Sequence, residues 1–150
     1  MRSFTAAGAL LVALSAGAIA ADAPNIVGTW TPTGRSAARV GNTAHYPSEV
    51  KPSLTKGTDD AFKWRIDAQD GGSFSGTATG PKGKTETIVG AFRQDGKRFV
   101  FSTGNGNGSG EVSGDDLEFC WTDNIPSYIA AGCTTSQAKQ VIRIHVVSAA

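Results

Sequence analysis

The segment spanning residues 61–103 repeats one unit three times: a short stretch of alternating apolar and polar residues, then a glycine-containing turn. In the first stretch the apolar residues occupy every second position and therefore share one face of an extended strand. They are Phe62, Trp64, Ile66 and Ala68. The three turns span residues 70–72, 80–84 and 94–97. Because glycine accepts positive φ angles and suits tight turns, the segment is predicted to form an antiparallel β-meander.

The large aromatic residues follow the same alternation. Excluding the N-terminal segment with Phe4, the chain has six Phe and three Trp, and all nine fall on the inward faces of predicted strands. They are Trp30, Phe62, Trp64, Phe74, Phe92, Phe99, Phe101, Phe119 and Trp121. With Ile66, Ile88, Val112 and Leu117 they are numerous enough to fill a closed eight-stranded barrel in layers. The sequence therefore predicts an all-β fold, an up-and-down antiparallel meander that closes into a barrel of about eight strands.

Three small residues share these inward faces and leave one question open. They are Gly76, Ala78 and Gly90. Small residues there either open a pocket beside the aromatic rings or let the strands bend at the corners of a barrel.

Three regions of the chain lack this alternation. Residues 31–60 are expected to form a long loop, with a short strand around residues 37–40, because prolines disfavour helix there and confine any strand to a sheet edge. The glycine-rich residues 104–110 are expected to be a flexible link, and residues 122–130 a connection containing Tyr128. The β-branched run at 140–147 predicts a last strand.

The N-terminus predicts export. A basic residue, a short apolar run and an Ala18-Ile19-Ala20 site are typical of a cleaved secretory signal over residues 1–20. Residues 21–150 are then a single β-barrel domain, and the protein is expected in the periplasm or outside the cell. Loss of Arg2 leaves 13 basic and 13 acidic residues, a balance that argues against nucleic acid or an anionic membrane as the partner.

Cys120 and Cys133 are the only cysteines. In an exported protein such a pair most simply forms one disulfide. By closing a loop of the chain, this disulfide is expected to stabilise the folded protein by about 3 kcal/mol. Leu117, Phe119 and Trp121 share one strand face, so Cys120 is expected on the other face, outside the main core.

Nothing in the sequence indicates catalysis. His45 and His145 are the only histidines and show no metal-ligand spacing, and there is no nucleophile elbow or phosphate-binding loop. The adjacent acids at 59–60 and 115–116 lie in predicted turns and are interpreted as solvated residues. We therefore expect no enzyme activity, no metal and no cofactor.

Two motifs resemble the lipocalin and avidin group of small secreted barrels. Gly28-Thr29-Trp30 is similar to the G-x-W signature of the first strand, and residues 72–77 and 88–92 are similar to the third and fourth strands of avidins. The resemblance implies a barrel with its tryptophan closing one end. Pro32-Thr33 and Ala78 stand where avidins carry biotin-contacting residues, so biotin binding is not implied.

The leading functional hypothesis is non-catalytic binding of a small apolar or aromatic ligand at one barrel end. The expected walls are Trp64, Phe74, Phe101 and Trp121, with His45 and Tyr46 as a polar lid. An apolar pocket of this type usually has a volume of a few hundred Å³.

The alternative is a protein-interaction module, such as a periplasmic inhibitor of a protease or lysozyme, that acts through the loop at 31–60 or the loop carrying Tyr128. The candidate interaction residues are Arg35, Arg39, Tyr46 and Tyr128, because tyrosine and arginine are enriched at the centres of interfaces. A filled barrel interior would favour this alternative.

Overall fold

The structure is a computed structural model that describes residues 22–42, 49–57 and 62–138. The strands are β1 (Gly28–Gly41), β2 (Glu49–Gly57), β3 (Lys63–Asp70), β4 (Ser73–Thr79), β5 (Thr85–Phe92), β6 (Arg98–Ser102), β7 (Gly106–Ser113), β8 (Asp116–Ile125) and β9 (Tyr128–Ala138). The described residues contain no helix. The predicted signal segment and the predicted last strand at 140–147 lie outside the described residues.

The strands form a closed antiparallel barrel of eight strands. Each strand from β3 to β9 pairs with the next, and β1 closes the ring by pairing with β3 on one edge and β9 on the other. At the point of closure Trp30 is opposite both Trp64 and Ala138. The predicted all-β fold and the predicted number of strands are confirmed.

β2 and β3 lie end to end along the same edge of β1. Arg35 pairs with Gly57 of β2, and Trp30 pairs with Trp64 of β3. The prediction of a long loop at residues 31–60 is therefore wrong for 31–36 and 49–57, which are strands, whereas the short strand predicted around residues 37–40 is confirmed as part of β1. The local alternation there is weak because Pro32 lies at a β-bulge, where the pairing with β9 shifts by one residue before Gly34.

The nine aromatic residues all face the interior, as predicted. Eight of them are buried and Phe92 is partly buried against the cluster. Ile66, Ile88 and Leu117 are buried between the rings, and Val112 packs against them. A period-two pattern of rings therefore becomes one continuous core once the sheet closes on itself.

Glycines make room for these rings. Phe74 is opposite Gly90, Phe101 is opposite Gly108, and Phe99 is opposite Gly110. A Cβ at Gly90, Gly108 or Gly110 would overlap the facing phenylalanine ring. The glycine run is thus strand β7 rather than the expected flexible link, and the small residue at position 90 accommodates a ring instead of opening a pocket.

A β-bulge in β3 reverses which side chains face inward after Ile66. The pairing with β4 shifts between Ile66 and Ala68, so Ala68 is exposed although alternation placed it inside. Gln69 instead turns towards the N-terminal segment, where its Oε1 accepts from the amide of Ile26 at 2.9 Å and its Nε2 donates to the carbonyl of Pro24 at 3.0 Å. The bulge therefore fastens residues 24–26 against the barrel.

β8 and β9 form a hairpin that carries the disulfide. Cys120 and Cys133 are directly opposite each other and bonded, on the face away from the core, as predicted. Residues 126–127 make a tight turn, so the expected connection at 122–130 is mostly strand. A disulfide is typical of an oxidising, exported environment. Among the described residues, no helix is long and apolar enough to span a membrane.

Candidate functional site

The two ends of the barrel differ. We call the end at which β1 begins the closed end, and the end at which β3, β5, β7 and β9 begin the open end. At the closed end Ile26 is buried, and its carbonyl accepts a hydrogen bond of 2.9 Å from Nε1 of Trp30. At the open end a cavity lies over the aromatic core. We call it the mouth cavity.

Aromatic rings form the floor of the mouth cavity. They belong to Phe62, Trp64, Phe101, Phe119 and Trp121. Trp64 stacks on Phe119 with 3.8 Å between ring centroids and meets Phe101 edge-on at 4.6 Å. Phe62 lies nearly parallel to Trp121, with centroids 6.0 Å apart. Because each ring is held by its neighbours, the floor is rigid and pre-formed.

Polar residues also line the mouth cavity around this floor. They are Glu86, Thr103, Asn107 and Asp123. The hydroxyl of Thr103 accepts from the amides of Asn105 and Gly106 and so fixes the β6–β7 turn. Nδ2 of Asn105 in turn donates to Oε2 of Glu86 at 3.2 Å. The rim is therefore ordered by hydrogen bonds, as well as by the strands that carry it.

Arg35 approaches the same aromatic cluster from β1. Its side chain is only 6% exposed. The guanidinium carbon lies 5.2 Å from the ring centroid of Trp121 and 5.7 Å from that of Phe62. Both distances fall within the range of cation–π attraction. The stretch of β1 beyond the bulge thus contributes a charged side chain to the open end.

The mouth cavity is small where it is enclosed. Its enclosed volume is about 30 Å³, and the mouth including the part open to solvent is about 500 Å³. A cavity of that size holds one small group, since a single water molecule needs about 10–15 Å³ of cavity volume. A ligand can therefore place one end among the rings while the rest lies in the open part of the mouth.

The structure brings together three of the four predicted wall residues. Trp64, Phe101 and Trp121 line the mouth cavity, whereas Phe74 packs on Phe92 and Phe99 towards the closed end. The predicted lid, His45 and Tyr46, lies outside the described residues. Phe74 does not line this cavity, because alternation gives the face of a strand but not the height along the barrel, and its role in binding stays a prediction.

The sequence reasoning missed Glu86 and Asp123. Asp123 continues the inward series of Phe119 and Trp121 on β8, and Glu86 lies two residues before the inward Ile88 on β5. Each of these acids occupies an inward-facing position near the end of its strand, and this position is the signal in the sequence that identifies it. A search for alternating apolar residues does not find it, because the residue is charged.

The predicted interaction residues are less exposed than expected. Tyr128 is 3% exposed and begins β9, so the prediction that it lies in a loop is wrong. Arg39 is half-buried on β1, opposite Ser53 and Ala130. Arg35 faces the aromatic floor, as described above. A role of these residues in binding a protein stays a prediction.

Other depressions on the surface are open and lie on the outer face of the sheet. One of them, about 600 Å³, runs over β6–β8 past Arg98, Glu111 and Glu118. It lies outside the barrel wall, with side chains of both charges around it. Within the part of the chain that the structure describes, no three His, Cys, Asp or Glu side chains are placed to hold a metal ion.

Comparison with known proteins adds no family to this geometry. No family model matches the sequence, and neither a curated protein nor a solved structure is found to be similar. The structure shows a closed antiparallel barrel of eight strands, which is consistent with a calycin-like fold.

Proposed function

We propose that this protein is an exported, non-catalytic binding protein that takes one small apolar or aromatic group into the mouth cavity. The observation that supports this proposal is the aromatic floor, which is accessible at the open end of a barrel that is otherwise filled. Sites for small molecules are concave and mostly apolar, with a few polar groups that orient the ligand. The mouth cavity has this composition on a small scale.

We also propose that the barrel belongs with those of the lipocalin and avidin group. The support is Gly28-Thr29-Trp30 at the start of β1, together with the buried Trp30 at the closed end, bonded to Ile26. In barrels of that group the tryptophan closes one end, which leaves the other end, where the mouth cavity lies, open to a ligand. Because fold alone does not fix function, this analogy supports the location of a site and not the identity of its ligand.

The test begins with native mass spectrometry of the protein purified from its source, which we expect to reveal a bound small molecule. Tryptophan fluorescence is then followed during titration with small aromatic and alkyl compounds. Phe62→Leu, at the mouth cavity, is expected to weaken binding several-fold, because it removes part of the floor. Phe74→Leu makes the same change near the closed end and should leave the affinity unchanged. Equal effects of both substitutions, or no bound small molecule, would contradict the proposal.

A second candidate function, binding to a secreted protein, is favoured by the surface of β2. Leu54 is 83% exposed on this strand, and the edge of β2 away from β1 has no partner strand among the described residues. The filled interior, with a cavity of only about 30 Å³, is what this candidate predicts, so it also supports a module that holds no ligand inside the barrel. Co-purification of a protein that is lost on Leu54→Ser, without any bound small molecule, would favour this candidate over the first.

A further inference from the structure

We propose that the small apolar or aromatic ligand of the mouth cavity carries an ammonium group, and that Glu86 and Asp123 select this cation. This inference rests on the proposed function, because it names the class of ligand for the same site. It follows from three features of the open end: the charges around the cavity, the ring faces on its floor and its enclosed volume.

The ionisable residues that line the cavity are both acidic. They are Glu86 and Asp123, and no lysine, arginine or histidine is among the described residues that line it. Arg35 is nearby on the side of Phe62 and Trp121. The lysines of the β4–β5 turn lie at the same end of the barrel but do not line the cavity. Carboxylates in the lining favour a bound cation over a bound anion.

The β6–β7 turn brings the two carboxylates towards one side of the mouth. A Cβ at Gly106 would lie 2.6 Å from Oδ1 of Asp123, and a Cβ at Gly104 would lie 4.0 Å from Oε2 of Glu86. Glycine at position 106 therefore provides the space that the Asp123 carboxylate occupies. β5 and β8 are separated by two strands, so this turn is the element that both acids share as a neighbour.

The rings of the floor already accommodate a cation from within the chain. The guanidinium of Arg35 lies within 6 Å of the centroids of two rings, those of Phe62 and Trp121. The face of an aromatic ring carries the negative part of its quadrupole, so a cation placed over it is stabilised. Trp64 and Phe101 extend the same aromatic surface to the part of the cavity near Ala78 and Thr103.

The enclosed volume limits the size of the cation. About 30 Å³ accommodates a primary ammonium or a methylammonium group. A trimethylammonium group is too bulky for the enclosed part. The alkyl or aromatic remainder of the ligand lies in the open part of the mouth, against the rings.

The test compares four probes of related shape by isothermal titration calorimetry at pH 7. They are n-pentylamine, pentan-1-ol, pentanoate and pentyltrimethylammonium. We expect the amine to bind about tenfold more tightly than the alcohol, because its charge adds cation–π and carboxylate attraction. Pentanoate is expected not to bind, and the trimethylammonium compound to bind more weakly than the amine. Added salt should weaken binding of the amine but not that of the alcohol.

Charge-removing variants locate the effect. Glu86→Gln and Asp123→Asn are each expected to lower the affinity for pentylamine several-fold and to leave that for pentanol unchanged. Glu111→Gln, on the outer face of β7, removes the same charge away from the cavity and should change neither affinity. If the alcohol binds as tightly as the amine, the cation inference is overturned while the proposed function stands. If none of the four probes binds, both are overturned.

Discussion

At the scale of single residues, the core depends on glycines opposite aromatic rings. Gly90 shows this most directly, because the three atoms nearest to a Cβ placed there all belong to the ring of Phe74. Gly90→Ala is therefore expected to destabilise the protein by about 1–3 kcal/mol, the usual cost of overfilling a packed core. The free energy of unfolding is measured by denaturation in guanidinium chloride.

Two further variants separate ring overlap from a general effect of replacing glycine. Gly34→Ala, where a Cβ meets no atom within 4 Å, should leave stability unchanged or slightly raised. In a Phe74→Leu background, Gly90→Ala should cost much less, because the ring it overlaps is gone. An equal cost in both backgrounds would show that the ring is not the cause.

Asp95 gives a residue-level prediction about pH. Its carboxylate accepts from the amides of Arg98 and Lys97, each at 2.9 Å, and from Nε of Arg98 at 2.6 Å, which holds the pKa of Asp95 well below its usual value of 3.8. A lowered pKa stabilises the fold above the unfolded pKa, and this contribution is lost as the pH falls through the folded pKa.

Asp95→Asn is therefore expected to lower the denaturation midpoint at pH 7. The difference from the wild type should shrink steadily once the pH is below about 4. Asp115→Asn, in the β7–β8 turn, serves as the control for loss of one negative charge. A difference between wild type and Asp95→Asn that is constant from pH 7 to pH 2 would contradict the role given to these hydrogen bonds.

At the scale of elements, the bulge in β3 ties the N-terminal segment to the barrel through Gln69. Gln69→Ala removes its bonds to Ile26 and Pro24 and is expected to cost about 1–3 kcal/mol, because the Ile26 amide loses its partner. Hydrogen exchange of that amide should become faster. Gln137→Ala, at an exposed position of β9, is the control. Unchanged protection of Ile26 would mean that the segment is held by other contacts.

The same strand shows which elements the sequence can predict. Alternation placed Phe62, Trp64 and Ile66 inside correctly, since a period of two follows directly from the geometry of a strand. It failed at Ala68 because a bulge shifts the phase by one residue without a local signal. It also failed for β7, because its glycines are typical of a flexible link. Their role in a strand becomes clear only from the pairing that places Phe99 and Phe101 opposite them.

The candidate site shows the same limit. Trp64, Phe101 and Trp121 were predicted as wall residues because they are aromatic and face inward, and these properties are local. Their height along the barrel depends on the register between neighbouring strands, and the sequence of one strand does not specify that register. Phe74 has the same local properties but packs on Phe92 and Phe99 towards the closed end. Glu86 and Asp123 were missed because only the closed barrel brings β5 and β8 to the same mouth.

At the scale of the whole molecule, one chain of ring contacts joins the two ends of the barrel. Phe74 contacts Phe99, Phe99 contacts Phe101, and Phe101 contacts Trp64 and Phe119. Phe119 then reaches Trp121 and Phe62 at the mouth cavity. The rings that would bind a ligand thus belong to the same packed cluster that stabilises the fold, so that a bound ligand is expected to raise the stability of the entire domain.

Closure of the barrel gives the last prediction. The β1–β9 pairing joins residues more than a hundred positions apart, such as Trp30 and Ala138, and contacts of this range make folding slow because a long loop must close first. We expect refolding in milliseconds to seconds, and a single unfolding transition with coincident midpoints by far-UV and near-UV circular dichroism. Near-UV signal lost at a lower denaturant concentration than far-UV signal would mean that the ring cluster separates from the sheet. The aromatic floor of the mouth cavity would then be able to open without unfolding of the barrel.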